Sequence, residues 1–491
     1  MSKSKIKLLK EPVLLAKHSA FDFQAKALDE IRNLEYAAIF HEQGLGKTKI
    51  AIDLFLYWLE QKIVDTVLVV AKKSLVPNWR LEVENHTYLK PHLLAQDRKK
   101  NYFVFNSAAR LILTSYEVIK SELKRFELFL KTRPVGVILD ESTKIKNPDS
   151  ALSKAFYELA PLFERRVILT GTPSSNRPYD MWGQIYFLDL GKALGKDFKA
   201  FKKNTDLSAD VAENLDSRES FESSVSGIYK KVRGFSVRET KDSGVIELPA
   251  KKYSYILTDW EPRQFDIYRR IREEYKAVFL KDGSLIEDIS ESVLKRLTRL
   301  VQAASNPFLF DLSYTLIPGK YEPLQDLLSD IARRKEKCII WTSFIANVEW
   351  LVKNLKDFHP KKIHGKMPIE ARYRSIANFL KLDECPLLIA TPASAKEGLT
   401  LTAANNIIYF DRSLSLDDYL QSQDRIHRIS QERECNVNLL MMKDSIDEWV
   451  DVLLKEKHLS AQLAQGDISL DYFRSQMTYS YKQILDGILN L

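Results

Sequence analysis

Residues His41-Glu42-Gln43-Gly44-Leu45-Gly46-Lys47-Thr48 offer chemistry before any fold is considered. They lie between an apolar run, Tyr36 to Phe40, and an amphipathic run, Ile50 to Leu59, an order that reads as strand, glycine-rich loop and helix. In such a turn Gly44 and Gly46, with Leu45 between them, let backbone N–H groups converge on a phosphate chain. The start of the helix adds partial positive charge, and Lys47 meets the outer phosphates. Thr48 places its hydroxyl on a Mg²⁺ ion. The full pattern G-x-x-x-x-G-K-[ST] asks for glycine where this chain has His41, so the match is partial. A plain surface turn explains an isolated Gly-Lys-Thr equally well, and context must choose.

The context comes from a second pair. Val135-Gly-Val-Ile-Leu139 is an apolar strand that runs into Asp140 and Glu141. Taken alone, two acids after a strand are a helix cap and a first-turn carboxylate. With a phosphate loop in the same chain, Asp140 instead holds the metal and Glu141 takes a proton from an attacking water. Gln24, on an amphipathic stretch ahead of the loop, carries a carboxamide that can donate to and accept from an adenine edge at once.

These groups need elements to hold them. Thr66–Ala71 and Leu111–Leu113 read as further buried strands, with Pro77 opening a helix whose face Trp79 packs. Strands alternating with helices imply a parallel sheet, whose ligands sit at the carboxyl ends of its strands. Val167-Ile-Leu-Thr170-Gly171-Thr172-Pro173 adds one more such strand end, with small hydroxyl residues able to sense a terminal phosphate.

Taken in order, Gln24, Gly44–Thr48, Thr114-Ser115-Tyr116-Glu117, Asp140-Glu141 with Ile145-Lys146-Asn147, and Leu169–Pro173 resemble the first motor lobe of superfamily 2 helicases. The Ile145-Lys146-Asn147 tail resembles that of the Swi/Snf-type translocases. From about residue 330 five more strand candidates follow, near Ile340, Ile363, Leu388, Ile408 and Val437. Ser394–Leu401, containing Gly398, resembles the family's coupling motif, and Gln421–Gln431 its arginine motif. On a helix Gln421, Arg425 and Arg428 fall at i, i+4 and i+7, hence on one face. The resemblance implies an α/β fold of two tandem RecA-like parallel-sheet lobes with helical insertions and an ATP cleft between them. The lobes are expected at 1–245 (with an insertion at about 190–240) and 331–465, joined by a linker and helical insertion at 246–330 and followed by a helical appendage at 466–491. Within the linker, Leu294 to Phe308 reads as a core-facing helix, and within the first-lobe insertion Asp206 to Ser226 reads as an exposed polar stretch.

The implied function is an ATP-dependent, Mg²⁺-using translocase on double-stranded DNA that displaces or remodels bound protein. Arg425 and Arg428 would supply fixed positive charge to the transition state, and Gly398 and Gln421 would join the nucleotide contacts. Ser74, Thr114, Ser115 and Tyr116, with Thr342, Ser343 and Thr400, would grip phosphates without reading sequence. A strand-separating DNA or RNA helicase and a nucleotide-gated scaffold are the competing readings. The family usually has His at Thr143, two glycines at Lys396-Glu397 and Gly at Ser430, departures that bear on coupling hydrolysis to movement.

Composition agrees with this class. The 491 residues carry a formal charge of +8, with lysine clusters such as Lys192, Lys196, Lys199, Lys202 and Lys203, and a polyanion partner suits that balance. No apolar run is long enough to span a bilayer. Cys338, Cys385 and Cys435 are widely spaced and read as reduced core residues rather than a metal site. A monomeric motor without membrane contact is expected, cytoplasmic in a bacterial or viral setting and nuclear in a eukaryotic one. The tail aromatics Tyr472, Phe473, Tyr479 and Tyr481 read as packing groups.

Overall fold

The structure, a computed structural model, describes residues 8, 10–206, 211, 214–282, 291–395, 399–477 and 487–488, with the side chains of 276–282, 291–296 and 395 not described. Lys396, Glu397, Gly398, Tyr479, Tyr481 and the Leu294 side chain lie outside the described set. The chain divides into two compact units. One comprises Met1–Asp206, Ser223–Ile246 and Ala461–Asp467, the other Leu207–Glu222, Glu247–Ser460 and Ile468–Leu491.

The first unit is built on a seven-stranded sheet. Its strands are β1 (Tyr36–Ile39), β2 (Thr66–Ala71), β3 (His92–Leu93), β4 (Leu111–Ser115), β5 (Val135–Asp140), β6 (Arg165–Leu169) and β7 (Ser236–Val237). They are ordered β3-β4-β2-β5-β6-β1-β7, and every pairing is parallel. Both faces of the central strands are covered, which is why β2 and β5 read as unbroken apolar runs. Helix α1 (Asp22–Ile31) precedes β1, and α2 (Lys47–Glu60) follows it. Ile50, Leu54, Phe55 and Trp58 of α2 join one core cluster with Ile39, Val67, Val69 and Leu169. Each such side chain contributes roughly 1.5–3 kcal/mol on burial. That stripe fixes where the N-terminus of α2, and so the phosphate loop, must sit.

The second unit holds a six-stranded sheet: β8 (Lys251–Thr258), β9 (Cys338–Trp341), β10 (Lys361–Ile363), β11 (Leu387–Ala390), β12 (Asn406–Tyr409) and β13 (Cys435–Met442). The order is β10-β11-β9-β12-β13-β8, again parallel throughout. Strand β8 corrects the expected boundary, because it falls in the stretch read as linker. It pairs on one side only, with β13, and most of its side chains are exposed, so its sequence lacks the apolar run of an inner strand.

The polar stretch before residue 226 is also different from the expectation. Leu215–Val232 is helical, and Phe221, Val225, Ile228 and Val232 are buried at spacings of four, three and four. Serines and acids fill the other face and hide the pattern. Helix Glu291–Ser305 does present Leu297, Leu300 and Val301 to a core. All three cysteines are free and buried, and Phe473 is buried while Tyr472 is exposed. No described helix is long and apolar enough to cross a membrane.

Candidate functional site

Register assembles the first unit's site. Ile39 of β1 stands opposite Leu169 of β6, and Leu169 opposite Asp140 of β5. The glycine-rich loop, the Thr170-Gly171 turn and the Asp140-Glu141 pair therefore leave one sheet edge side by side.

The loop has the geometry its residues suggest. Gly44 and Gly46 sit at φ of 92° and 72°, where side-chain-bearing residues are strained. A Cβ on Gly46 would also lie 2.2 Å from the Gln24 amide nitrogen. Position 41 stays out of the left-handed region, so the histidine in place of glycine is tolerated by the backbone. His41 is buried, and burial, then the nearby Lys47 charge, push its imidazole down to about 4, leaving it neutral at ordinary pH. Lys47 Nζ donates to the His41 carbonyl at 2.9 Å and the Glu42 carbonyl at 3.1 Å. Gln24 donates to the Leu45 carbonyl and accepts from the Phe21 N–H. Its amide thus ties α1 to the loop, where the sequence pointed to an adenine edge.

Asp140 is held from two directions. Trp79, in α3 (Val76–His86), donates its indole N–H to Asp140 Oδ2 at 2.8 Å, and the Tyr116 hydroxyl donates to the Asp140 carbonyl at 2.8 Å. Burial, followed by the Glu141 charge, pushes the Asp140 carboxyl up to about 6, while the indole and Lys47 act the other way. Glu141 has φ 54°, in the left-handed region that a non-glycine residue adopts at a cost of order 1–3 kcal/mol. Its Oε1 accepts from Gln43 Nε2 at 3.1 Å, and its buried Oε2 has no hydrogen-bond partner among the described residues.

This donor set fits a nucleoside triphosphate with a divalent cation. A left-handed glycine loop and a helix N-terminus suit phosphate, Lys47 supplies a cation, and Thr48 with Asp140 offers hard oxygen ligands. Trp79 and Gln43 were not anticipated as partners of the two acids. Their sequence signal is weak, since each is a single residue in a motif read for another purpose.

Several track residues need correction. Thr114 and Tyr116 are fully buried, Thr114 donating to the Leu94 carbonyl and Tyr116 to Asp140, and Ser115 is buried too. Thr342 is buried and donates to Asp411 Oδ2 at 2.6 Å. The Thr114, Tyr116 and Thr342 hydroxyls are thus engaged within the protein, each at or just past the end of an inner strand. Ser74 and Ser343 are half-buried and Thr400 is exposed.

The arginine motif is also not one helical face. Its helix is Leu416–Gln423, capped by Asp424, and Arg425 and Arg428 follow in turns. Gln421 stays on the helix and donates to Asp417 at 2.7 Å. Arg425 is buried with its guanidinium toward the Leu399 carbonyl at 3.4 Å, and Arg428 reaches Thr400 Oγ1 at 3.1 Å. Thr400 and the two arginines thus form one local group. At the carboxyl edge of the second sheet, Asp411 gathers the Ser305, Thr342 and Asn347 side chains and the Ser343 N–H.

Comparison with known proteins bears on these sites. The SNF2-related domain matches residues 31–309. This chain belongs to the SNF2-related family. The helicase conserved C-terminal domain matches residues 319–430, and the two parallel sheets agree with the tandem RecA-like lobes expected for such a chain. The SNF2 domain is an ATPase motor. A putative ATP-dependent helicase/translocase, YwqA of Bacillus subtilis, is 27% identical over 451 residues, covering 88% of this SNF2 chain and 47% of that protein. The nuclear protein STH1/NPS1 of Saccharomyces cerevisiae is 25% identical, covering 91% and 35% respectively. This chain therefore spans less than half the length of either relative. The Sulfolobus solfataricus SWI2/SNF2 ATPase core in complex with dsDNA aligns with 99% of this chain and 100% of its own at 23% identity and a TM-score of 0.43.

Proposed function

We propose that this SNF2 chain hydrolyses ATP and uses the cycle to track along double-stranded DNA, displacing or remodelling what is bound there. The observation that carries the hydrolysis reading is the convergence of Gly44–Thr48 and Asp140-Glu141 on one edge, with a buried carboxylate oxygen of Glu141 left for a proton. Lys47 would hold the outer phosphates and Glu141 would orient the attacking water, while Thr48 and Asp140 would hold a Mg²⁺ ion, which would supply charge neutralisation to the transferring phosphate. Arg425 and Arg428, with Gly398 and Gln421 nearby in sequence, are our candidates for the fixed positive charge and remaining contacts that such reactions draw on. Half-buried Ser74 and exposed Thr400 are our candidates to meet a phosphodiester backbone, whereas the Ser343 hydroxyl is buried with no hydrogen-bond partner among the described residues. The name of the Bacillus relative supports movement as the output.

The test is phosphate release measured in parallel with no polynucleotide, single-stranded DNA, duplex DNA and RNA. Duplex DNA is expected to raise the rate by about tenfold or more, with stimulation falling steeply as salt rises because phosphate contacts release counterions. A rate indifferent to DNA overturns the proposal. Displacement of a triplex-forming strand without unwinding of a forked duplex distinguishes translocation from strand separation.

Trp79 gives a second expectation. Trp79→Phe keeps an aromatic ring and deletes the donor to Asp140, and loss of a group that orients a metal ligand costs about 10–100-fold in metal affinity or activity in other systems. The Mg²⁺ concentration for half-maximal phosphate release should rise about tenfold. An unchanged Mg²⁺ titration removes Trp79 from this role.

A further inference from the structure

Resting on the hydrolysis reading above, we propose that Gln43 is a positioning residue for Glu141, committing one carboxylate oxygen to the protein and leaving the other to receive the proton of the attacking water. The Gln43 amide lies 3.1 Å from Glu141 Oε1, a contact between residues 98 apart in sequence. A carboxylate only accepts, so the amide must present Nε2 and donate. Glu141 Oε2 is buried and has no hydrogen-bond partner among the described residues. A buried carboxylate oxygen left unmatched costs stability, and it persists where function uses it.

Both ends of the contact are held in place. Glu141 is fixed by its left-handed backbone and by the Lys144 N–H, which donates to its carbonyl at 3.1 Å. Gln43 is pressed by the Thr170-Gly171 turn, for a Cβ on Gly171 would lie 3.1 Å from the Gln43 nitrogen and 3.2 Å from its Cγ. A carboxylate pinned through Oε1 cannot swing, so Oε2 keeps one direction. In the reaction the water oxygen bonds to the γ-phosphorus, and the bond to the β–γ bridging oxygen breaks with its electron pair leaving on ADP. One water proton goes to Glu141 Oε2. An oxygen misplaced by about 1 Å in such a step can cost on the order of 10²-fold.

The experiment compares the wild-type chain, Gln43→Met, Gln43→Asn, Glu141→Gln and the Gln43→Met/Glu141→Gln double variant. Met keeps the length of the side chain without a donor, and Asn keeps the amide but falls short by one methylene. Both are expected to lower kcat for phosphate release about tenfold or more, with KM for ATP and the Kd of a fluorescent ATP analogue within about twofold of wild type. The double variant should release phosphate no more slowly than Glu141→Gln alone, because the amide acts only through that carboxylate. Wild-type kcat in both Gln43 variants, a loss confined to KM, or additive losses in the double variant overturns the inference while leaving the hydrolysis reading intact. A wild-type protein that releases no phosphate, or a Glu141→Gln variant as active as wild type, brings down both.

Discussion

Glu141→Gln is expected to cut phosphate release by about 10²-fold or more while nucleotide binding holds. The substitution keeps the size of the side chain and removes the charge that accepts a proton. Its partner Gln43 donates to Oε1, and a glutamine at 141 still offers an oxygen there, so the loop has no reason to rearrange. Lys47→Ala should differ in its effect on binding. Lys47 sits over the loop with its ammonium on the His41 and Glu42 carbonyls, and deleting it removes the cation that outer phosphates need. Binding of a fluorescent ATP analogue should then be lost along with turnover. Steady-state phosphate release and analogue titration on the same preparations separate the two effects. A Glu141→Gln variant within about threefold of wild type removes Glu141 from the position of general base.

Asp411→Ala is expected to destabilise the second unit strongly. Asp411 is buried, and its two oxygens accept from Thr342 Oγ1 at 2.6 Å, the Ser343 N–H at 2.7 Å, Ser305 Oγ at 2.8 Å and Asn347 Nδ2 at 3.1 Å. Alanine leaves the buried Thr342 and Ser305 hydroxyls without this acceptor, while Asn347 Nδ2 keeps its bond to Ser305 Oγ. Each buried donor left unmatched costs about 1–3 kcal/mol, and removing one side of a buried charged network costs roughly 3–5 kcal/mol in total. Asn306 and Asn347 are linked to the same cluster, so the damage should spread to the Ser305–Pro307 turn. Asp411→Asn keeps one acceptor oxygen and should lose less. Denaturant melts of the three proteins measure this, and an Asp411→Ala midpoint equal to wild type refutes the hub. Thr342 resembles a track residue in sequence yet faces inward, because its hydroxyl is committed to Asp411.

How much of this could be read beforehand depended on the kind of interaction. The inner strands β1, β2, β4, β5 and β6 were legible because parallel strands covered on both faces must be apolar throughout, and that pattern is local. Strands β3, β7 and β8 were not, since two are only two residues long and the third pairs on a single side. The helical reading of Arg425 and Arg428 failed because spacing alone cannot say where a helix stops, and here it stops at Gln423. Leu215–Val232 was obscured by its serines and acids, although its buried positions keep helical spacing.

The sequence by itself determined the chemistry: a glycine loop ending in lysine and threonine, two acids closing an apolar strand, and enough of the ordered motifs to point to the family. These are properties of short segments, where backbone freedom and side-chain type act within a few residues. Only the tertiary structure decided which groups meet. Trp79 finds Asp140 across 61 residues and Gln43 finds Glu141 across 98, because strand register sets adjacent rows at one sheet edge. Local sequence does not encode that register, which comes from the packing of the whole unit around its core.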